Sequence, residues 1–104
     1  MDVKEEKVPV NVRLHSEILD EIHDLYKRKN HDYGDSFHQT FIEEGYAMSR
    51  IRLSDKLGRF KTLSKVKADG AMVKDESMRD TLIDLANYAI MTVVEMDRKK
   101  YEAD

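Results

Sequence analysis

The sequence predicts an all-α fold, a bundle of about three main helices whose core is completed when copies of the chain associate. Three observations carry this expectation. The 104 residues include one proline and four glycines, too little turn punctuation for a β-sandwich or barrel. Apolar residues recur at helical spacing in three stretches separated by short polar segments. The last stretch has room for about 25 helical residues, about 37 Å at 1.5 Å per residue, which exceeds what a compact monomer of this size needs. A domain this small removes only about two thirds of its unfolded surface from water, so a partner subunit would help stabilise it.

Residues 1–14 read as an N-terminal arm: VPVNVRL alternates weakly around Pro9 and suits a short extended segment. Residues 15–104 read as one all-α domain. Ser16 is a good N-cap, and Ile18, Leu19, Ile22, Leu25 and Tyr26 follow at helical spacing. Acidic residues come early in this stretch and Lys27, Arg28 and Lys29 late, an order that suits the helix dipole. The helix is expected to stop near Asn30, where HDYGD supplies a loop with Gly34 free to adopt a positive φ. Ser36 would cap a second stretch running to about Lys65, with Gly45 as the place for a kink or break. A continuous helix would put Ile42, Tyr46, Leu53, Leu57 and Phe60 on one side and Glu44, Arg52, Asp55 and Arg59 on the other. After a connection at residues 67–71, Lys74 or Asp75 would open a third helix ending near Lys100.

Charged residues make up 38% of the chain, well above the usual ~25%. Eighteen basic against 21 acidic residues leave a net charge of −3, too balanced for general nucleic-acid binding or for an anionic membrane surface. A bound anion must therefore be held by a local cluster. The chain has no cysteine, which excludes a thiolate nucleophile, a disulfide framework and cysteine-ligated zinc or iron–sulfur sites. No apolar run reaches the ~18 residues of a membrane span, and MDVKEEKVPV has no apolar leader core. The cytoplasm is the expected compartment, that of the host if the gene is phage-borne.

The third helix carries the densest chemistry. Glu76, Asp80, Asp84 and Asn87 follow at i, i+4, i+8 and i+11, within about 80° of arc. Three stacked carboxylates repel one another, so something positive should face them: a divalent cation held by oxygen ligands, or lysine or arginine from the second helix. Glu76 alone is explained by the helix dipole at a solvated first turn. Asp84 and Asn87 sit among Leu82, Ile83, Leu85, Ala86 and Ala89, and there a site is favoured over an ordinary paired carboxylate. The second stretch offers the complement in EEGYAMSRIRLSDKLGRF, where Arg50, Arg52, Lys56 and Arg59 interleave with Glu44 and Asp55. Arginine forks and a lysine point charge suit phosphate oxygens, as the same pattern also suits a surface helix laced with ion pairs. In KNHDYGDSF, Tyr33 could stack on a base and Lys29 reach a phosphate, or the segment could be a tight turn with an aromatic anchor. His15, His23, His31 and His38 show no metal-ligand spacing and read as surface residues.

The succession HDYGDSF, EEGYAMSRIRLSDKLGRFKTL and DESMRDTLIDLANYAIM resembles the nucleotide-modification-associated domain family common in phage genomes, from about Lys29 to Met91. That family is similar to the all-α nucleoside triphosphate pyrophosphohydrolases of the MazG and dimeric dUTPase type. The resemblance implies a helical bundle that forms dimers or tetramers and binds Mg2+ through acidic residues on two helices. It also implies cleavage of a nucleotide between its α and β phosphates. Glu44, with Glu43, stands where the first acidic motif begins; Glu76, Asp80 and Asp84 stand for the second. Asp55, Lys56, Arg59, Asn87 and Tyr88 match recurring positions near the phosphates. The resemblance thus implies catalytic roles for Glu44, Asp55 and Asp84, and metal ligation by Glu44, Glu76, Asp80 and Asp84. Nucleotide contacts would come from Lys29, Tyr33, Arg52, Lys56, Arg59, Asn87 and Tyr88. Ala47 and Met48 occupy the place of a further glutamate in the pyrophosphohydrolase pattern, and Glu76-x-x-x-Asp80 replaces E-x-x-D. These departures keep a second expectation in play, a non-catalytic protein that sequesters or senses a nucleotide.

Overall fold

The computed structural model describes residues 7–33, 35–65 and 71–102, with side chains for 7–31, 35–65 and 75–100. Helices α1 (Val10–Tyr33), α2 (Ser36–Glu44), α3 (Tyr46–Lys65) and α4 (Ala71–Glu102) account for nearly all of these residues, and no strand occurs among them. The fold is all-α, as expected. The chain divides into two compact units, the first ending at Gly34 and the second beginning at Asp35. Among the described residues no helix is long and apolar enough to cross a membrane.

The first unit holds α1, which begins six residues before the expected cap at Ser16. Residues 10–14 are therefore helical and not an extended arm. Pro9 explains the early start: its carbonyl accepts the first backbone bond from Arg13 N at 3.1 Å, and its fixed φ and missing N–H cost nothing at a helix entrance. The helix continues through His31 to Tyr33, past the expected stop at Asn30. The positive φ expected at Gly34 falls outside the described residues.

In the second unit Asp35, not Ser36, is the N-cap of α2, and its carboxylate makes no capping bond. That carboxylate is used elsewhere, 3.0 Å from Arg98 Nη1 on α4. Its backbone carbonyl accepts Gln39 N at 3.0 Å. At Gly45 the expected break occurs: φ is +65° and ψ −149°, a region open essentially to glycine alone. Gly45 N donates to Phe41 O at 2.7 Å and closes α2. The break resets the helical phase, so the continuous apolar face expected from Ile42 to Phe60 does not form. Ile42, Tyr46 and Leu57 are exposed, whereas Phe41 and Met48 are buried.

α3 and α4 run antiparallel, joined across their seam by polar contacts. Thr92 Oγ1 lies 2.8 Å from Ser49 Oγ and also bonds Tyr88 O at 2.9 Å. Arg59 Nε donates to Thr81 Oγ1 at 3.1 Å, and Thr81 in turn donates to Ser77 O at 2.8 Å. Ser49 and Thr81 are each 3% exposed. α2 is fixed to α4 by a buried pair, His38 Nδ1 to Glu95 Oε1 at 2.6 Å. The sequence placed His38 on the surface; it is buried because α2 turns that face onto α4, where a carboxylate meets it. α4 starts at Ala71, ahead of the expected opening at Lys74 or Asp75, since alanine and methionine are strong helix formers. Its 32 residues make it about 48 Å long.

Three outcomes follow for stability. Gly45→Ala should lower the unfolding free energy by about 1–3 kcal/mol, because alanine resists this φ/ψ region. Gly58→Ala, where an added methyl meets nothing within 4 Å, should raise it by about 0.5–1 kcal/mol; urea melts of the two variants check the opposite signs. His38→Ala leaves Glu95 buried and unpaired and should cost about 3 kcal/mol in the same melts. A cost below about 1 kcal/mol would show that the pair does not clamp α2.

Candidate functional site

The α3–α4 seam decides which charged residues meet. Its antiparallel register sets Lys56 opposite Asp84, with Nζ 3.3 Å from Oδ2, both side chains about one third exposed. One turn further along, Arg59 is held against α4 by Thr81, the neighbour of Asp80. The positive groups facing the acidic ladder are thus a lysine and an arginine of α3. Arg52, one turn from Lys56 on the other side, is exposed and makes no ion pair with a described residue. Arg52, Lys56 and Arg59 form a basic edge along α3, spaced i, i+4, i+7.

On α4, Glu76 and Asp80 are exposed and make no ion pair with any described residue. Asn87, one turn beyond Asp84, is 8% exposed, yet no described residue hydrogen-bonds its side-chain amide. Buried amides are nearly always satisfied, by protein, water or ligand. Tyr88 is half-buried, its ring stacked on Phe37 with centroids 6.1 Å apart and planes at 28°. That ring packs α2 on α4, which reduces the face it can offer to a base.

Glu44 is exposed at the end of α2; it precedes Ser49, the α3 residue that meets Thr92. Asp80 is 12 residues before Thr92, about 18 Å along α4. The register therefore separates Glu44 from the ladder. Asp55 is exposed on α3 and has no partner among the described residues. Lys29 is exposed on α1, in the other unit, and the side chain of Tyr33 lies outside the described residues. Among the described residues no three carboxylates or imidazoles come together as a metal-holding group.

This donor set does not form a protein-only metal shell. It does fit a magnesium ion carried in on a polyphosphate, which needs only one or two carboxylates from the protein. Asp80 and Asp84, one turn apart beside Lys56 and Arg59, are the carboxylates that would hold such an ion. His38 and Glu95 were missed by sequence reasoning. They are 57 residues apart, and neither spacing nor periodicity links them.

Chemically, the seam offers two cationic groups within reach of two carboxylates. A phosphate can replace Asp84 as the partner of Lys56, and the freed carboxylate can accept a proton or a cation. If the Lys56–Asp84 pair exists for a ligand and not for the fold, Lys56→Met should change the unfolding free energy by no more than about 1 kcal/mol, as for other partly exposed pairs. A loss above about 2 kcal/mol in a denaturant melt would show instead that the pair holds the seam.

Residues 29–96 match the family model described as Nucleotide modification associated domain 1. That span takes in the end of α1, all of α2 and α3, and α4 through Met96, including each seam residue named above. No curated protein and no solved structure matches the chain.

Proposed function

The chain belongs to the Nucleotide modification associated domain 1 family, and from that premise we propose that it is a nucleotide pyrophosphohydrolase whose phosphate site is the α3–α4 seam. The observation that carries this reading is the Lys56–Asp84 pair at 3.3 Å, flanked by the Arg59–Thr81 bond and by an Asp80 that makes no ion pair with a described residue. Acid and base of two helices meet there as a phosphoanhydride substrate requires. The resemblance to the MazG and dimeric dUTPase type supports the same reaction class.

Arg59 and Lys56 would bind phosphate oxygens, with Arg52 reaching those further along the groove. Thr81 keeps the Arg59 guanidinium in place, so the fork is ordered before a ligand arrives. Release of Lys56 to phosphate frees Asp84 to take the proton of a water attacking the α phosphorus. The bond to the bridging oxygen then breaks, leaving a nucleoside monophosphate and pyrophosphate. Asn87 would hydrogen-bond the sugar or a phosphate oxygen. Asp80, together with the substrate's own phosphate oxygens, would hold magnesium, which would polarise the phosphate and offset the charge on the leaving group. Copies of the chain associate, in this reading, through the apolar residues that α4 leaves exposed, among them Ile90 and Val93.

A second reading, a nucleotide-binding protein that sequesters or senses without cleaving, is favoured by one observation. The groups opposite the ladder are basic, and Glu44 is several turns away from it. Pyrophosphate release from each common nucleoside triphosphate, with magnesium and with a chelator, separates the two. The hydrolase reading expects magnesium-dependent release that falls at least tenfold in both Asp84→Asn and Lys56→Met. Tight calorimetric binding of an unchanged triphosphate, with no release, establishes the second reading. Neither binding nor release would remove both.

A further inference from the structure

The second unit contains a cleft of about 260 Å³ between α2 and the last turns of α4, remote from the seam site along α4. At its floor lies the buried His38–Glu95 pair, whose side chains are 11% and 7% exposed. The 2.6 Å contact uses Nδ1 of the imidazole and Oε1 of the carboxylate. Oε2 of Glu95 and Nε2 of His38 have no hydrogen-bond partner among the described residues. Two polar atoms of a buried pair lining a cleft therefore need water or a ligand. Because a carboxylate oxygen only accepts, a ligand on Oε2 must bring an N–H or O–H donor.

The walls specify more. Phe41 is buried and meets the Tyr46 ring in a T-shaped contact, with centroids 5.3 Å apart and planes at 82°. Tyr46 itself stays 46% exposed, which leaves aromatic surface for a flat partner. Lys99 lies at the same mouth, its Nζ 5.9 Å from the Tyr46 centroid, with no ion pair to a described residue. Arg98, also lining the cleft, is already joined to Asp35 at 3.0 Å. The cleft thus combines a buried acceptor, an aromatic wall and a cation at the rim.

We infer that this cleft is a second ligand site, and that it takes a nucleoside monophosphate. The base lies against Tyr46 and donates an N–H to Glu95, and the phosphate meets Lys99. His38 orients the Glu95 carboxylate from behind. The choice of a nucleoside as the flat ring rests on the nucleotide reading proposed above; the acceptor, aromatic and cationic requirements do not. No part of the site is shared with Lys56, Arg59 or Asp84, so the two sites can be tested separately.

The test follows the His38 imidazole proton signals of the full chain by NMR, during titration with AMP, GMP, CMP and UMP in the absence of metal. At least one monophosphate should shift these signals with a dissociation constant below about 1 mM. The exposed substitutions Lys99→Glu and Tyr46→Ala should each weaken that binding at least tenfold, while Lys56→Met leaves it within twofold. Triphosphate hydrolysis should persist in Lys99→Glu. The inference is overturned if no monophosphate moves the His38 signals up to about 5 mM, well above the occupancy limit of a millimolar site. It is equally overturned if Lys56→Met abolishes the response while Lys99→Glu keeps it, since the ligand then sits on the seam. A retained His38 response in a protein that hydrolyses no triphosphate supports this site and sinks only the hydrolase reading.

Discussion

The register in which α3 and α4 meet is pinned by hydroxyl contacts across their seam. Ser49 to Thr92 and Arg59 to Thr81 fix an antiparallel register in a way that apolar packing would not. An apolar face tolerates sliding because dispersion is not directional, whereas a hydrogen bond weakens steeply with misalignment. Advancing one residue turns a helix by about 100°, so a slip of α4 would carry Thr81, Asp84 and Thr92 away from their partners together. With Ser49 and Thr81 almost wholly buried, the loss would also leave polar atoms unsatisfied, which is costlier than the bonds themselves are stabilising. The register is therefore specified by polar groups, and the Lys56–Asp84 meeting is a consequence of it.

α2 is attached to this pair of helices by different means. It is too short to be stable alone, and its hold on α4 is concentrated in His38–Glu95, Asp35–Arg98 and the Phe37–Tyr88 stack. Gly45 makes these contacts compatible with the seam. Its positive φ uncouples the direction of α2 from that of α3, so each helix can turn its own face to α4. The same break exposes Ile42 and Tyr46, and so builds the aromatic side of the cleft beside Glu95.

What could be read from the sequence follows from range. Helical spacing, the weak point at Gly45 and the run of acids on α4 are local properties, and each was legible. That a lysine or arginine of the preceding helix might answer Asp84 was one of two open alternatives, and Lys56 does so. The helix entrance at Pro9 was misplaced because Ser16 looks like a cap, while a proline carbonyl can start a helix without any side-chain cap. The apolar face from Ile42 to Phe60 failed for a reason visible only in three dimensions, since a phase computed through Gly45 assumes that the helix continues. His38 with Glu95 was illegible: no periodic rule connects residues 57 apart, and a lone histidine in a polar helix is unremarkable by composition. Asp55, Glu44 and the ladder show the same limit, because the separation of Glu44 from Asp80 depends on the register of α3 against α4.

The register also bears on how such a site can remain charged without being unstable. A ladder of carboxylates one turn apart carries mutual repulsion, and a row of Arg52, Lys56 and Arg59 on α3 carries its own. Opposed across the seam, each row offsets the repulsion within the other. The contact is loose enough to be exchanged: Lys56 and Asp84 are each about one third exposed, so water competes with their attraction and the desolvation already incurred is modest. A phosphate arriving at Lys56 breaks a weak pair and not a buried one, while Arg59, tied to Thr81, stays where it is. His38–Glu95, a buried pair among the described residues, lies further along α4, where it ties α2 down and leaves one carboxylate oxygen toward the cleft. The pair a ligand has to break is thus the weak, half-solvated one, while the buried pair can take a ligand on its spare oxygen without being broken.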